Sequence, residues 1–151
     1  MHADAFDLDR FVRAQNDGGT YDRALGELRR GRKSSHWMWF VFPQIAGLGR
    51  SAMAERYAIG SLDEARAYLA HPILGPRLDE CAAALLDGPD GRTAESVLGG
   101  IDAVKLRSSA TLFLAADPGR QVLVRVLDRY FAGEPDATTR RLLQAGGATG
   151  P

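Results

Sequence analysis

Apolar residues recur through this chain at three- and four-residue spacing, and glycine or proline breaks the pattern at short intervals, which restricts it to a set of short amphipathic helices. Leu8, Phe11, Val12 and Gln15 share one helical face before Asn16-Asp17-Gly18-Gly19. Tyr21, Ala24, Leu25 and Leu28 form the next stripe, with Thr20 placed to cap its start and Gly31 to close it. Ser51 opens a short helix. Ser61-Leu62-Asp63-Glu64 reads as a capping box, and its helix ends near Ala70 because His71 precedes Pro72. Leu78, Cys81, Ala82 and Leu85 face inward on a helix that carries Pro76 in its first turn and ends at Gly88-Pro89-Asp90-Gly91. Thr93 to Leu98 supplies a turn or two. Asp102 to Ala116 follows, with Val104, Leu106, Ala110, Phe113 and Leu114 as its expected buried positions. Beyond Pro118-Gly119, the stripe Val122, Leu123, Val126, Leu127, Tyr130 and Phe131 closes at Gly133, and Asp136 caps a last short helix through Leu143.

Trp39 to Phe42 and Val122-Leu123-Val124 are fair strand rivals, but neither has a partner with two-residue alternation. The expectation is an all-α fold, a single compact domain of about seven or eight short helices. Its core lies between residues 8 and 143, and 144–151 reads as a frayed tail.

Within that pattern one segment stands apart. Gly31 to Gly49, GRKSSHWMWFVFPQIAGLG, holds both tryptophans, two of six phenylalanines and one of three histidines behind a polar Arg32-Lys33-Ser34-Ser35 run. Rings of that size dominate core energetics. Placed directly behind cations, hydroxyls and the His36 imidazole, they also describe an apolar floor under a polar lip, which is the chemistry of a ligand pocket. The bland alternative makes Trp37, Phe40 and Val41 core, with Met38 and Trp39 on a second face. Ser34 or Ser35 can cap an aromatic helix, and backbone N–H groups there beside Arg32 and Lys33 would accept an anion. No G-x-x-x-x-G-K-[ST] loop is present. In Pro43-Gln44-Ile45-Ala46-Gly47-Leu48-Gly49 the glycines read as a turn, and Gln44 offers an amide that donates and accepts.

Asp102, Lys105 and Ser109 share a helix face, and Ser108-Ser109 places two hydroxyls mid-helix, where their propensity is indifferent. An Asp102–Lys105 surface pair with solvated hydroxyls explains this as simply as a ligand-facing patch does. His2, His36 and His71 have no metal-ligand spacing, so no metal is expected, and His71 before Pro72 reads as a packing or capping residue. Cys81 on an apolar face reads as a small hydrophobe; a single cysteine also excludes an internal disulfide. No cofactor fingerprint appears.

Charge bounds the class of function. Nineteen basic and nineteen acidic residues give a formal net charge of zero, which disfavours a nucleic-acid binder. No run approaches the roughly 18 apolar residues of a membrane span, and MHADAFDLDR has no apolar signal core. A soluble cytoplasmic protein is expected. No pattern specifies an oligomeric state.

Leu8-x-x-Phe11-Val12-x-Ala14-Gln15, Tyr21-x-x-Ala24-Leu25-x-Glu27-Leu28-x-x-Gly31-Arg32-Lys33 and Ser35-His36-Trp37-Met38-Trp39-Phe40-Val41-Phe42-Pro43-Gln44-Ile45 together resemble an uncharacterised bacterial family, domain of unknown function 1810, whose members are often mislabelled calpastatin. The resemblance continues through Tyr57-Ala58-Ile59, Ala65-x-x-Tyr68-Leu69-x-His71-Pro72-x-Leu74-Gly75-x-Arg77-Leu78 and Asp102-x-x-Lys105-Leu106-x-Ser108-Ser109-x-Thr111-Leu112-Phe113. It implies a single all-α domain and no established activity. Ala110 and Val97-Leu98-Gly99 depart from the family's usual Met and Ile-Phe-Gly, as packing changes. Phe11-x-x-Ala14-Gln15, Gly31-Arg32 and Val104-Lys105 give a fainter likeness to a glycosidase-like superfamily proposed to act on NAD and ADP-ribose derivatives.

The expected function is binding or processing of an anionic, nucleotide- or ADP-ribose-like small molecule. Arg32 and Lys33 would take the charge, Trp37 or Trp39 would stack the ring, and Ser35, His36, Gln44, Lys105 and Ser109 would complete the site. Were an N-glycosidic bond cleaved, Asp102 would be the acid. A noncatalytic protein-interaction module anchored by the Trp-rich segment is the alternative, and a single-stranded nucleic acid binder is the second.

Overall fold

A computed structural model describes residues 4–88 and 91–149, with side chains in the last helix to residue 145. His2, the Pro89-Asp90 break and the end of the expected tail, 150–151, lie outside the described residues. Among those described, ten α-helices follow one another: α1 (Asp9–Asn16), α2 (Thr20–Arg30), α3 (Met38–Val41), α4 (Ala52–Arg56), α5 (Leu62–Ala70), α6 (Leu74–Leu86), α7 (Ala94–Leu98), α8 (Gly100–Ala116), α9 (Gln121–Phe131) and α10 (Ala137–Thr149). The count exceeds the expected seven or eight because the short segment 38–41 closes a helical turn and the expected short pieces at 52–56 and 94–98 each stand as a separate helix. Both strand rivals are helical, in α3 and α9. An isolated bridge between Ile45 and Ile59 pins the 44–46 segment, with Ile59 N–H donating to Gln44 O at 2.8 Å. Helix α10 continues through Thr149, beyond the point where the sequence reads as a tail.

Helix α8 is the centre of the molecule and packs against α5, α7, α9 and α10, while α6 packs against α2, α5 and α9. Its inward face is Ala103, Leu106, Ala110 and Phe113. Val104, expected in the core, is instead 60% exposed, because it is one residue, or about 100°, round from Ala103. The α5–α6 corner is tight. A Cβ on Gly75 would stand 2.2 Å from the Leu69 carbonyl oxygen, so only glycine lets the two backbones approach there.

The caps follow the sequence in part. His71 closes the corner by accepting from the N–H groups of Ile73 and Leu74 at 3.1 and 3.3 Å. Ser51 caps α4 through Ala54 N–H. Thr20 is not the cap of α2; Gly19 takes that place and the Thr20 hydroxyl donates back to Asp17 O. Ser61 does cap α5, accepting from Glu64 N–H, but Glu64 does not close the box. Its carboxylate reaches past Ser61 to Gly60 N–H and to Arg10, 2.9 Å away, a largely buried pair that ties α1 to α5.

Candidate functional site

Helix α2 ends at Gly31, in the left-handed conformation, and the chain turns back across the helix's last turn. That reversal puts the Ser34–Trp37 loop over Glu27, a residue in the buried stripe of α2. Glu27 is 1% exposed. Its Oε1 accepts from Ser34 N–H at 2.8 Å, Ser35 N–H at 3.0 Å and Trp37 Nε1–H at 2.9 Å, and its Oε2 accepts from the Ser35 hydroxyl at 2.5 Å. Burial raises the carboxyl's pKa, but these four donors outweigh it and hold Glu27 at about 2. The N–H groups that the sequence suggests for an external anion are therefore occupied by an internal one. Neither Ser34 nor Ser35 caps α3, whose N-cap is Trp37 without a side-chain bond.

The same loop is fastened to the start of α8. Lys33 N–H donates to Val97 O at 2.7 Å, and Lys33 Nζ lies 2.9 Å from Asp102 Oδ2. Lys105, one turn further along α8, stands 3.4 Å from the other oxygen of Asp102. Each ammonium also covers an indole: Lys33 is 5.2 Å from the Trp37 ring and Lys105 is 5.1 Å from the Trp39 ring. The two expected walls of the site, Gly31–Gly49 and the Asp102 helix, thus meet through Lys33, Trp37, Trp39, Asp102 and Lys105.

The remaining expected residues divide. Trp37 is fully buried, packing against Phe42 and bonding Glu27, so it is core and cannot stack a ligand. Of the rings at 37, 39, 40 and 42, Trp39 alone is not buried. Ser35 is spent on Glu27. Ser109, one turn beyond Lys105, is buried, and its hydroxyl has no hydrogen-bond partner among the described residues. Arg32 and His36 are exposed; Gln44 is half-buried, with its backbone carbonyl bonded to Ile59. Ser108 is structural. Its hydroxyl meets Thr139 Oγ1 at 2.9 Å, and Thr139 in turn donates to Asp136, fixing α10 on α8.

Glu27 is the residue that sequence reasoning missed. Its signal was an acid in register with Ala24 and Leu28, eight to ten residues before hydroxyl and indole donors. Cys81 is buried and its thiol is pushed up to about 12 by desolvation, consistent with a packing role. No group of three or more His, Cys, Asp or Glu among the described residues is arranged to hold a metal, and no described helix is long and apolar enough to cross a membrane. A cleft of about 430 Å³ lies between α8, α9 and α10 and is lined by none of the residues above except that it shares helix α8.

No curated protein matches the chain. Among solved structures, the conserved hypothetical protein Rv1873 from Mycobacterium tuberculosis shares 50% identity, over 93% of this chain and 99% of that one, with a TM-score of 0.89. The family described as protein of unknown function DUF1810 matches residues 5–143, which include both the aromatic segment and the Asp102 helix. The chain belongs to the DUF1810 family.

Proposed function

We propose that this domain binds an anionic small molecule, nucleotide- or ADP-ribose-like, where the 31–49 segment meets the first turns of α8. One observation carries the reading: two lysines share a single aspartate, Lys33 at 2.9 Å and Lys105 at 3.4 Å. The cluster keeps one positive charge more than it neutralises, and that charge sits on Lys105, the looser partner. An incoming phosphate would take Lys105 together with the exposed Arg32, and the part-exposed Trp39 would flank a ring. The unpartnered Ser109 hydroxyl is buried, so it fits an internal water beneath that face and not a ligand contact. With both oxygens directed at ammonium groups, Asp102 supports binding better than catalysis.

Calorimetry with inorganic phosphate, nucleoside monophosphates and ADP-ribose tests this. The parent should bind at least one, and Lys105→Ala should weaken it about tenfold or more, as expected for losing a charge-assisted contact. No heat from any of them at millimolar concentration ends the proposal.

Exposed Ile101 (78%) and Val104, on the outer face of α8 beside Lys105, favour a second reading in which a protein partner meets this corner. Ile101→Ser would then weaken partner association and leave phosphate binding intact. The nucleic-acid alternative has less support, since Trp37, Phe40 and Phe42 are buried and of these neighbouring rings only Trp39 is open to stacking.

A further inference from the structure

The cleft between α8, α9 and α10 has apolar walls built from Leu114, Pro118, Val124, Leu127 and Pro135, and its volume of about 430 Å³ falls in the range of small-molecule sites. Two exposed side chains of opposite charge also line it, Asp128 and Arg140. Neither takes part in an ion pair among the described residues. Both stand at the disfavoured end of a helix. Asp128 is in the last turn of α9, where the carbonyl ends carry partial negative charge, and Arg140 is in the first turn of α10, where the N–H groups carry partial positive charge.

The neighbours do not remove the anomaly. Arg125, one turn before Asp128, and the neighbouring Arg129 share a shallow groove with it on another flank of α9, but neither forms an ion pair with Asp128 among the described residues. Asp136, one turn before Arg140, is occupied by the Thr139 N–H and hydroxyl at 2.8 and 2.6 Å. Thr111, at the back of the cleft, already donates to Arg107 O and accepts from Asp136 N–H. Polar recognition there is left to the two charges. Gly133 keeps room for one of them, since a Cβ at that position would stand 3.1 Å from Asp128 Oδ1.

Opposite charges held at disfavoured helix ends, on one apolar cleft and unpaired with each other, fit a ligand that carries both signs on an apolar body. We propose that this cleft binds a zwitterionic small molecule of the apolar amino acid or dipeptide class. Its ammonium group pairs with Asp128, its carboxylate with Arg140, and its side groups lie on Leu114, Val124 and Leu127. A bare ion would not need the apolar walls, and an uncharged apolar molecule would not use the two charges.

A methyl-detected NMR titration of the full chain with L-phenylalanine and L-leucyl-L-leucine tests the proposal. The expected result is saturable shifts at the Leu114, Val124 and Leu127 methyls, and shifts at least about fivefold weaker in affinity for N-acetyl-leucyl-leucine amide, which lacks both charges. Ala115→Trp, a substitution at an exposed lining residue, should block the cleft. Asp128→Asn and Arg140→Gln should each weaken the zwitterion, and each should raise the melting temperature of the ligand-free protein by about 1–3 °C as an adverse helix-end charge is removed. Absence of saturable shifts at millimolar ligand, equal binding of the capped dipeptide, or a lower melting temperature for both charge variants would each overturn it.

Discussion

Replacing Glu27 by glutamine isolates the charge of the one buried carboxylate that organises the Ser34–Trp37 loop. The amide oxygen can keep the Oε1 position and its three N–H donors, but the NH2 group then faces the Ser35 hydroxyl, which has to rotate and accept instead. What is lost is charge assistance. With Glu27 held at about 2 against an ordinary value of 4.5, the folded state favours the ionised form by about 3 kcal/mol. Hydrogen bonds to a charged group exceed neutral ones by about 1 kcal/mol each, so three or four of them lead to the same magnitude. Because the folded value lies below the unfolded one, this stability is fully present above about pH 4.5 and drains away as pH falls toward 2. Urea denaturation at pH 7 should therefore show Glu27→Gln about 2–3 kcal/mol less stable than the parent, with the gap narrowing steadily between pH 5 and pH 2.5. A deficit under about 0.5 kcal/mol at pH 7, or a gap that does not change across that acid range, would falsify the reading of Glu27 as an ionised hub.

Three further outcomes follow from the packing and charges. Gly75→Ala, whose Cβ would meet Leu69 O at 2.2 Å, should cost about 2–3 kcal/mol in a denaturant melt, against the usual small gain for such a change in a helix. Trp37→Ala should cost about 3–5 kcal/mol, and Trp39→Ala no more than about 2, a difference that paired thermal melts can read. Asp102→Asn removes the counter-ion shared by Lys33 and Lys105; it should lower stability by about 1–2 kcal/mol yet tighten phosphate binding measured by calorimetry, whereas weaker binding would mean that Asp102 itself contacts the ligand.

Helix positions were legible in the sequence because their stops are local. The His71-Pro72 dipeptide ends α5 at Ala70, and Gly31 ends α2 at Arg30, without reference to any distant residue. Side-chain destinations were less so. Val104 has the composition of a core residue, but its exposure depends on which face of α8 meets α5, α7 and α9. Glu64 has the spacing of a capping box, and what diverts it is Arg10, fifty-four residues away in sequence. The Ser108–Thr139 contact, which gives one of the paired mid-helix hydroxyls its reason, likewise joins two helices that no local pattern connects.

The candidate site divides along the same line, and the division bears on what can bind there. A sequence displays donors in clusters, and Arg32-Lys33-Ser34-Ser35-His36 is such a cluster. It does not display which anions the fold itself brings. Here α2 carries Glu27 beneath the loop and α8 carries Asp102 beside it, and the two carboxylates between them occupy Ser34 N–H, both Ser35 donors, Trp37 Nε1–H and Lys33. An external ligand therefore does not enter the nest that the serines suggest. On the reading proposed above it would use what the internal anions hold loosely or not at all: Lys105 at 3.4 Å from Asp102, Arg32 in solvent and the exposed part of Trp39, while the buried Ser109 hydroxyl lies out of its reach. Binding to such remainders would rest on exposed charges and would therefore be salt-sensitive. Binding that survives about 0.5 M salt unchanged would point to a different, more enclosed site for the anion, since contacts between exposed charges are largely screened at that ionic strength.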